Sequence, residues 1–154
     1  MRALTKRNIN LILDVMMKAL SKILLLFLAI GIFSCADGKP PSILFVTMLP
    51  NTNEPAGPYN VEAIASDDRA LDKVQLWWCV EELGDDTCRK DLDNGYNLDE
   101  MANQGGDIFE GRIPGQGYDV MIEYYVLAID DSGNQVSDPP EAPVNEIYSF
   151  MVTR

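Results

Sequence analysis

The sequence has no histidine, only three cysteines and only two tryptophans among its 154 residues. Without histidine, Ser-His and Cys-His nucleophilic catalysis, His-ligated zinc and histidine pH switching are excluded. Long apolar runs are missing too. The run from Ile23 to Phe33 spans eleven residues, whereas a membrane-spanning helix needs ~20. Extending it backwards would draw Lys22, Lys18 and Asp14 into hydrocarbon, and each is costly there. Beyond residue 34 no stretch repeats its apolar residues with a period near 3.6, so helices are not expected. Positive charge is scarce in the same region. The chain has 12 basic and 24 acidic residues; Arg2, Lys6, Arg7, Lys18 and Lys22 hold five of the bases and Asp14 one of the acids, so residues 35–154 carry seven bases, 23 acids and a formal charge of −16. Such a body lacks the clustered Lys and Arg that nucleic acid or anionic lipid requires. No nucleic-acid partner is expected, and the charge serves solubility.

What is present divides at residue 34. Residues 18–34 join a basic start, the eleven-residue apolar run and the small Ser34, which is the make-up of a secretory signal. Residues 1–34 are therefore read as a signal peptide, and because residues 1–15 add little to it, translation is expected to start at Met16 or Met17. Ile32-Phe33-Ser34-Cys35 resembles the lipobox of bacterial lipoproteins: Ile32 matches the aliphatic position, Ser34 the small position, and Phe33 departs from the small middle residue. The resemblance implies cleavage before Cys35, acylation of its thiol and membrane attachment through the acyl chains, each buried CH₂ contributing ~0.8 kcal/mol. The expected location is the bacterial envelope, lipid-anchored, facing the periplasm or the outside. With Cys35 acylated, Cys79 and Cys88 remain as one pair in an oxidising compartment. They flank an acidic loop containing Gly84, and a disulfide is expected there.

Residues 35–41, with Pro40 and Pro41, form a stiff tether, because paired prolines do not enter a helix. From residue 42 to residue 154, period-2 apolar patterns recur between turn residues. Strands are predicted at 43–48, 59–66, 73–80, 87–90, 96–101, 107–113, 121–130 and 147–152. Turns such as Asp93-Asn94-Gly95, Gln104-Gly105-Gly106 and Ser132-Gly133-Asn134 separate them,. The alternation nominates a core: Val61, Ala63 and Ala65; Val74, Leu76 and Trp78; Ile122, Tyr124, Val126 and Ala128; Tyr148, Phe150 and Val152. Seven to eight short strands in one domain read as an all-β antiparallel sandwich.

Three segments carry a second resemblance. Residues 124–134, Tyr-Tyr-Val-Leu-Ala-Ile-Asp-Asp-Ser-Gly-Asn, look like the penultimate strand and following turn of fibronectin type III and related immunoglobulin-like modules. Tyr59 to Ala63 with Val74 to Trp78 is similar to their opening strands, and Ile108 to Pro114 to a middle strand. The resemblance implies an immunoglobulin-like sandwich over roughly residues 41–153 and the spacer, adhesion or binding roles such modules serve. It does not imply an activity.

The candidate chemistry is sparse. Asp67, Asp68 and Asp72 should meet Asp130 and Asp131 at one end of the sandwich, where with Asn134 they would offer oxygens to Ca²⁺; aspartates that cap turns explain the same pattern without an ion. Residues 91–95 fail the spacing of an EF-hand and read as a turn. Trp77, Tyr125, Leu127 and Ile129 point away from the predicted core on neighbouring strands. An outer face that apolar marks a contact site, unless the tether or the loop at 132–146 covers it. No carboxylate pair stands out for glycoside hydrolysis. The expectation is a non-enzymatic envelope lipoprotein whose sandwich mediates protein interaction or a structural or adhesive role, partnered by the membrane through Cys35 and by another envelope protein or a glycan. The alternative is a calcium- or carbohydrate-binding module at the cell surface.

Overall fold

A computed structural model describes residues 38–82, 88 and 95–154. The signal segment, Cys35 and residues 91–94 of the turn expected at 91–95 lie outside the described residues. Asp37–Arg154 forms one unit of two antiparallel sheets packed as a sandwich. Among the described residues there are nine strands: β1 (Ser42–Val46), β2 (Tyr59–Ser66), β3 (Leu71–Glu82), β4 (Asn97–Glu100), β5 (Ala102–Gly105), β6 (Ile108–Ile113), β7 (Val120–Asp130), β8 (Gln135–Asp138) and β9 (Tyr148–Val152). One sheet runs β1-β2-β6-β5. The other runs β4-β3-β7-β8, with β9 also on β7.

The spine is the pair β3 and β7, paired from Leu71 opposite Asp130 to Glu82 opposite Val120 and in unbroken register from Lys73 onward, after a shift between Leu71 and Lys73. Both strands are rich in the β-branched and aromatic residues that pack well on a pleated surface, and both bury one side against the core. The far edge of β7 is shared. Its second half pairs with β8, Val126 to Ile129 against Gln135 to Asp138. Its first half pairs with β9, Val120 to Tyr124 against Tyr148 to Val152. Pro139, Pro140 and Pro143 lie between the two, and without N–H groups they cannot continue a ladder. Residues 51–53 tack onto the free edge of β9: Thr52 N–H donates to Met151 O and Thr153 N–H to Thr52 O, both at 2.9 Å.

The nine strands exceed the seven to eight expected. The predicted strand at 96–101 is β4 plus a crossing. Met101 is buried and its N–H still donates to Val74 O at 2.9 Å; the next residue, Ala102, already pairs with Glu110 in the other sheet. Of the predicted strand at 87–90 only Cys88 is described, and it is helical, not extended. The predicted core residues are buried except Trp78 and Tyr148, which are partly buried and pack against it. Val46, Tyr59, Met101, Phe109 and Ile113 complete the core. Two loops beside it cross backbone to backbone. A Cβ at Gly57 (φ +52°) would lie 2.6 Å from Gly115 N, and one at Gly115 would overlap Ala56 O, so neither position accepts a side chain without moving a backbone,.

Candidate functional site

Directly opposed residues of antiparallel strands share a face. The register therefore lays rows across the outer side of the five-stranded sheet: Leu98, Trp77 and Tyr125; Glu100, Gln75, Leu127 and Ser137; Lys73, Ile129 and Gln135; Cys79, Glu123 and Ser149. Trp77, Tyr125, Leu127 and Ile129 thus lie together on this face, all half-buried, and Leu98 is exposed beside them. The rings of Trp77 and Tyr125 are parallel and offset, 6° between planes and 6.2 Å between centroids. Tyr96 meets Tyr125 edge-on at 5.7 Å, the geometry ring quadrupoles favour. Trp77 Nε1 donates to Gln75 Oε1 at 3.3 Å.

One end of this outer face is dry although alternation points it at solvent. Glu81 is 3% exposed and Glu123 1%. The cause is the disulfide between Cys79 and Cys88, which brings Cys88 onto the face from nine residues away. The Cys88 N–H donates to Glu81 Oε1 at 2.8 Å, and the Tyr96 hydroxyl donates to Glu123 Oε2 at 3.2 Å. Charge-assisted bonds of this kind offset part of the cost of burying a carboxylate. Burial, followed by the Glu123 charge and hydrogen bond, drives the Tyr96 phenol well above its ordinary pKa. Burial also raises that of Tyr125, so both phenols stay neutral donors. Glu81, Cys88 and Glu123 bring their oxygen and sulfur atoms within 4.8 Å of one another. The Cys88 sulfur is already bonded to Cys79 and supplies no thiolate, the form that binds a metal. Glu81, Glu123, Tyr96 and Leu98 were not singled out from the sequence. The signal was available in Cys79, which shares the outward side of Trp77, so its bridge had to cover that side.

The five aspartates lie at one end of the sandwich, where the Asp131 N–H donates to Ala70 O at 3.2 Å and joins the two turns. Their oxygens are engaged locally. Asp67 Oδ2 accepts from the N–H groups of Arg69 and Ala70 at 2.8 and 3.1 Å. Asp68 takes Lys39 Nζ at 2.9 Å, and Asp72 has Lys73 Nζ at 3.9 Å. Asp131 Oδ1 accepts from the Ser132 hydroxyl at 3.2 Å. Asp130 Oδ1 accepts from Ser132 N–H and Asn134 N–H, each at 2.8 Å, and Oδ2 from Asn134 Nδ2 at 2.7 Å. A cleft of about 500 Å³ opens beside this end, lined by Asp67, Asp72, Glu100 and Asp107 together with Arg69 and Lys73.

Burial pushes the Asp130 carboxyl up, but the bonds from Asn134, Ser132 and Gly133 outweigh it and hold the group below the usual carboxylate range. A depressed folded-state pKa contributes stability that is present above the unfolded value, about 3.9, and is lost as pH falls through the folded value. Asp130→Asn is therefore expected to be less stable than the parent at pH 7 and to lose stability less steeply below about pH 4. Urea melts from pH 2 to pH 7 check this; parallel curves for the two proteins would refute it. No protein-family model and no curated protein sequence matches this chain.

Proposed function

We propose that the chain is an envelope lipoprotein, anchored through acylated Cys35, whose immunoglobulin-like sandwich is non-enzymatic and holds a partner on the outer face of the five-stranded sheet. The observation that carries the binding reading is the row Leu98, Trp77 and Tyr125 with Tyr96 against it. Large aromatic side chains ringed by polar groups are what contact sites concentrate. The strand orders β1-β2-β6-β5 and β4-β3-β7-β8 support the kinship with immunoglobulin-like and fibronectin type III-like modules, whose sheets are ordered in the same way. The lipobox-like Ile32-Phe33-Ser34-Cys35 supports the anchor.

Two measurements test the reading. Cys35→Ser is expected to move the protein from the membrane fraction to the soluble one, and an unchanged distribution would remove the anchor. A photoreactive residue at position 77 in intact cells is expected to capture one recurrent partner that a probe at Arg112, on the other sheet, does not. Equal capture at both positions would sink the binding face. A glycan is the second reading. Trp77 and Tyr125 offer ring faces, with Gln75 and Glu100 in the adjoining row to meet hydroxyl groups. Saturable quenching of tryptophan fluorescence by oligosaccharides, lost in Trp77→Ser, would select it.

A further inference from the structure

We propose that the outer face of the four-stranded sheet lies against the zwitterionic lipid surface to which Cys35 ties the chain. This rests on the lipoprotein reading and is independent of the partner at Trp77. Phe45 of β1 stands opposite Ile64 of β2, and Ile64 opposite Ile108 of β6. The residues beside them in sequence, Val46, Ala63 and Phe109, are in the core, so this row points away from it. Phe45 is 46% exposed and Ile108 40%. The register of β1 shifts between Ile43 and Phe45. A bulge breaks the alternation, and Leu44, in the shift, is 71% exposed next to Phe45. Apolar residues from three strands thus form one outward patch, of the kind that marks a contact with protein or membrane.

The chain before β1 selects the membrane. Cys35 precedes Leu44 by nine residues. Lys39 is held to the body: its Nζ reaches Asp68 at 2.9 Å, and its carbonyl accepts from Asn134 Nδ2 at 3.2 Å. Only the four links from Cys35 to Lys39 then separate the anchor from a fixed point, at most roughly 14 Å when extended. Asp68 follows β2 by two residues, at the same end of the sheet as Ile64, Ile108 and Leu44. An acylated Cys35 therefore keeps the patch close to the headgroups. The next row inward pairs Glu62 with Glu110, and Glu110 Oε1 takes Arg112 Nη2 at 3.1 Å; the described residues of this face therefore offer no cluster of unpaired cations, which anionic lipid would require and zwitterionic lipid does not.

The test uses the acylated full chain in vesicles of phosphatidylethanolamine and phosphatidylcholine that carry a lipid-borne quencher. A fluorophore is attached through Ile108→Cys or, on the other sheet, Leu98→Cys. Quenching is expected at 108 and absent at 98, and Leu44→Asp with Phe45→Asp is expected to abolish it at 108 while the protein still floats with the vesicles. Floating protein with no lipid quenching at 108 would overturn the docking and leave the anchor standing. So would quenching at 108 that survives the double substitution, or that comes only from a second copy at high protein-to-lipid ratio. If the wild-type chain does not float, the lipoprotein reading fails and the docking falls with it.

Discussion

Phe150→Ala is expected to destabilise the sandwich by about 3–5 kcal/mol, a large share of the ~5–15 kcal/mol that holds a typical domain folded. Phe150 is 2% exposed and belongs to β9 of one sheet. Its ring meets Tyr124 edge-on at 6.2 Å and crosses the interior to meet Tyr59 of β2 at 5.0 Å and 70°. Truncation removes both contacts and leaves a cavity bounded by two aromatic rings. One of these is fixed in place, because the Tyr124 hydroxyl donates to Thr47 O at 2.8 Å and accepts from Leu49 N–H at 2.9 Å. Collapse into the space would break those bonds, so relaxation is limited and the cost falls high in the range. Thermal melting should show a fall on the order of 10–20 °C. Leu44→Ala, at an exposed site, should stay within about 0.5 kcal/mol of the parent; similar losses for the two variants would contradict the assigned core.

Removing the disulfide is expected to cost roughly 2–3 kcal/mol by the chain-entropy model for a loop of this length. Replacing Cys79 and Cys88 together by alanine avoids leaving a lone thiol. The cost has a second component, because the bridge delivers the Cys88 N–H to the buried Glu81 carboxylate. Without that donor Glu81 must hydrate or stay buried without its backbone partner. The doubly substituted protein should accordingly show tyrosine and tryptophan spectra altered on the Trp77 face, as well as a lower melting temperature. Unchanged near-ultraviolet circular dichroism would mean that the bridge acts through the unfolded chain alone.

Much of the sandwich was legible in the sequence, and the reason is local. β2 alternates cleanly over Tyr59–Ser66 and β7 does so from Tyr124 to Asp130, because one side of each faces the core. Strands held by backbone bonds at an edge leave no such mark. β8, Gln-Val-Ser-Asp, has one apolar residue, and β5, Ala-Asn-Gln-Gly, is exposed throughout; both read as turn or loop. The outer face was half legible. The outward side of Trp77, Tyr125, Leu127 and Ile129 follows from period 2. The burial of Glu81 and Glu123 on that same side does not, because it depends on a cover delivered by Cys88 and Tyr96 from elsewhere in the chain.

The shared edge of β7 bears on when the chain can finish folding. A polypeptide that has emerged only as far as Asp130 already has β3 to pair with β7, yet β8 and β9 have not arrived. It lacks Phe150 and Val152, two residues of the core, so the ring that meets Tyr59 is missing and that part of the interior is unfilled. Contacts between distant parts of a sequence form late. The core is thus incomplete until synthesis has run some twenty residues past β7. A chain that stops short of β9 is therefore expected to leave Tyr59 and Tyr124 without the ring they pack on and to melt below the full-length protein.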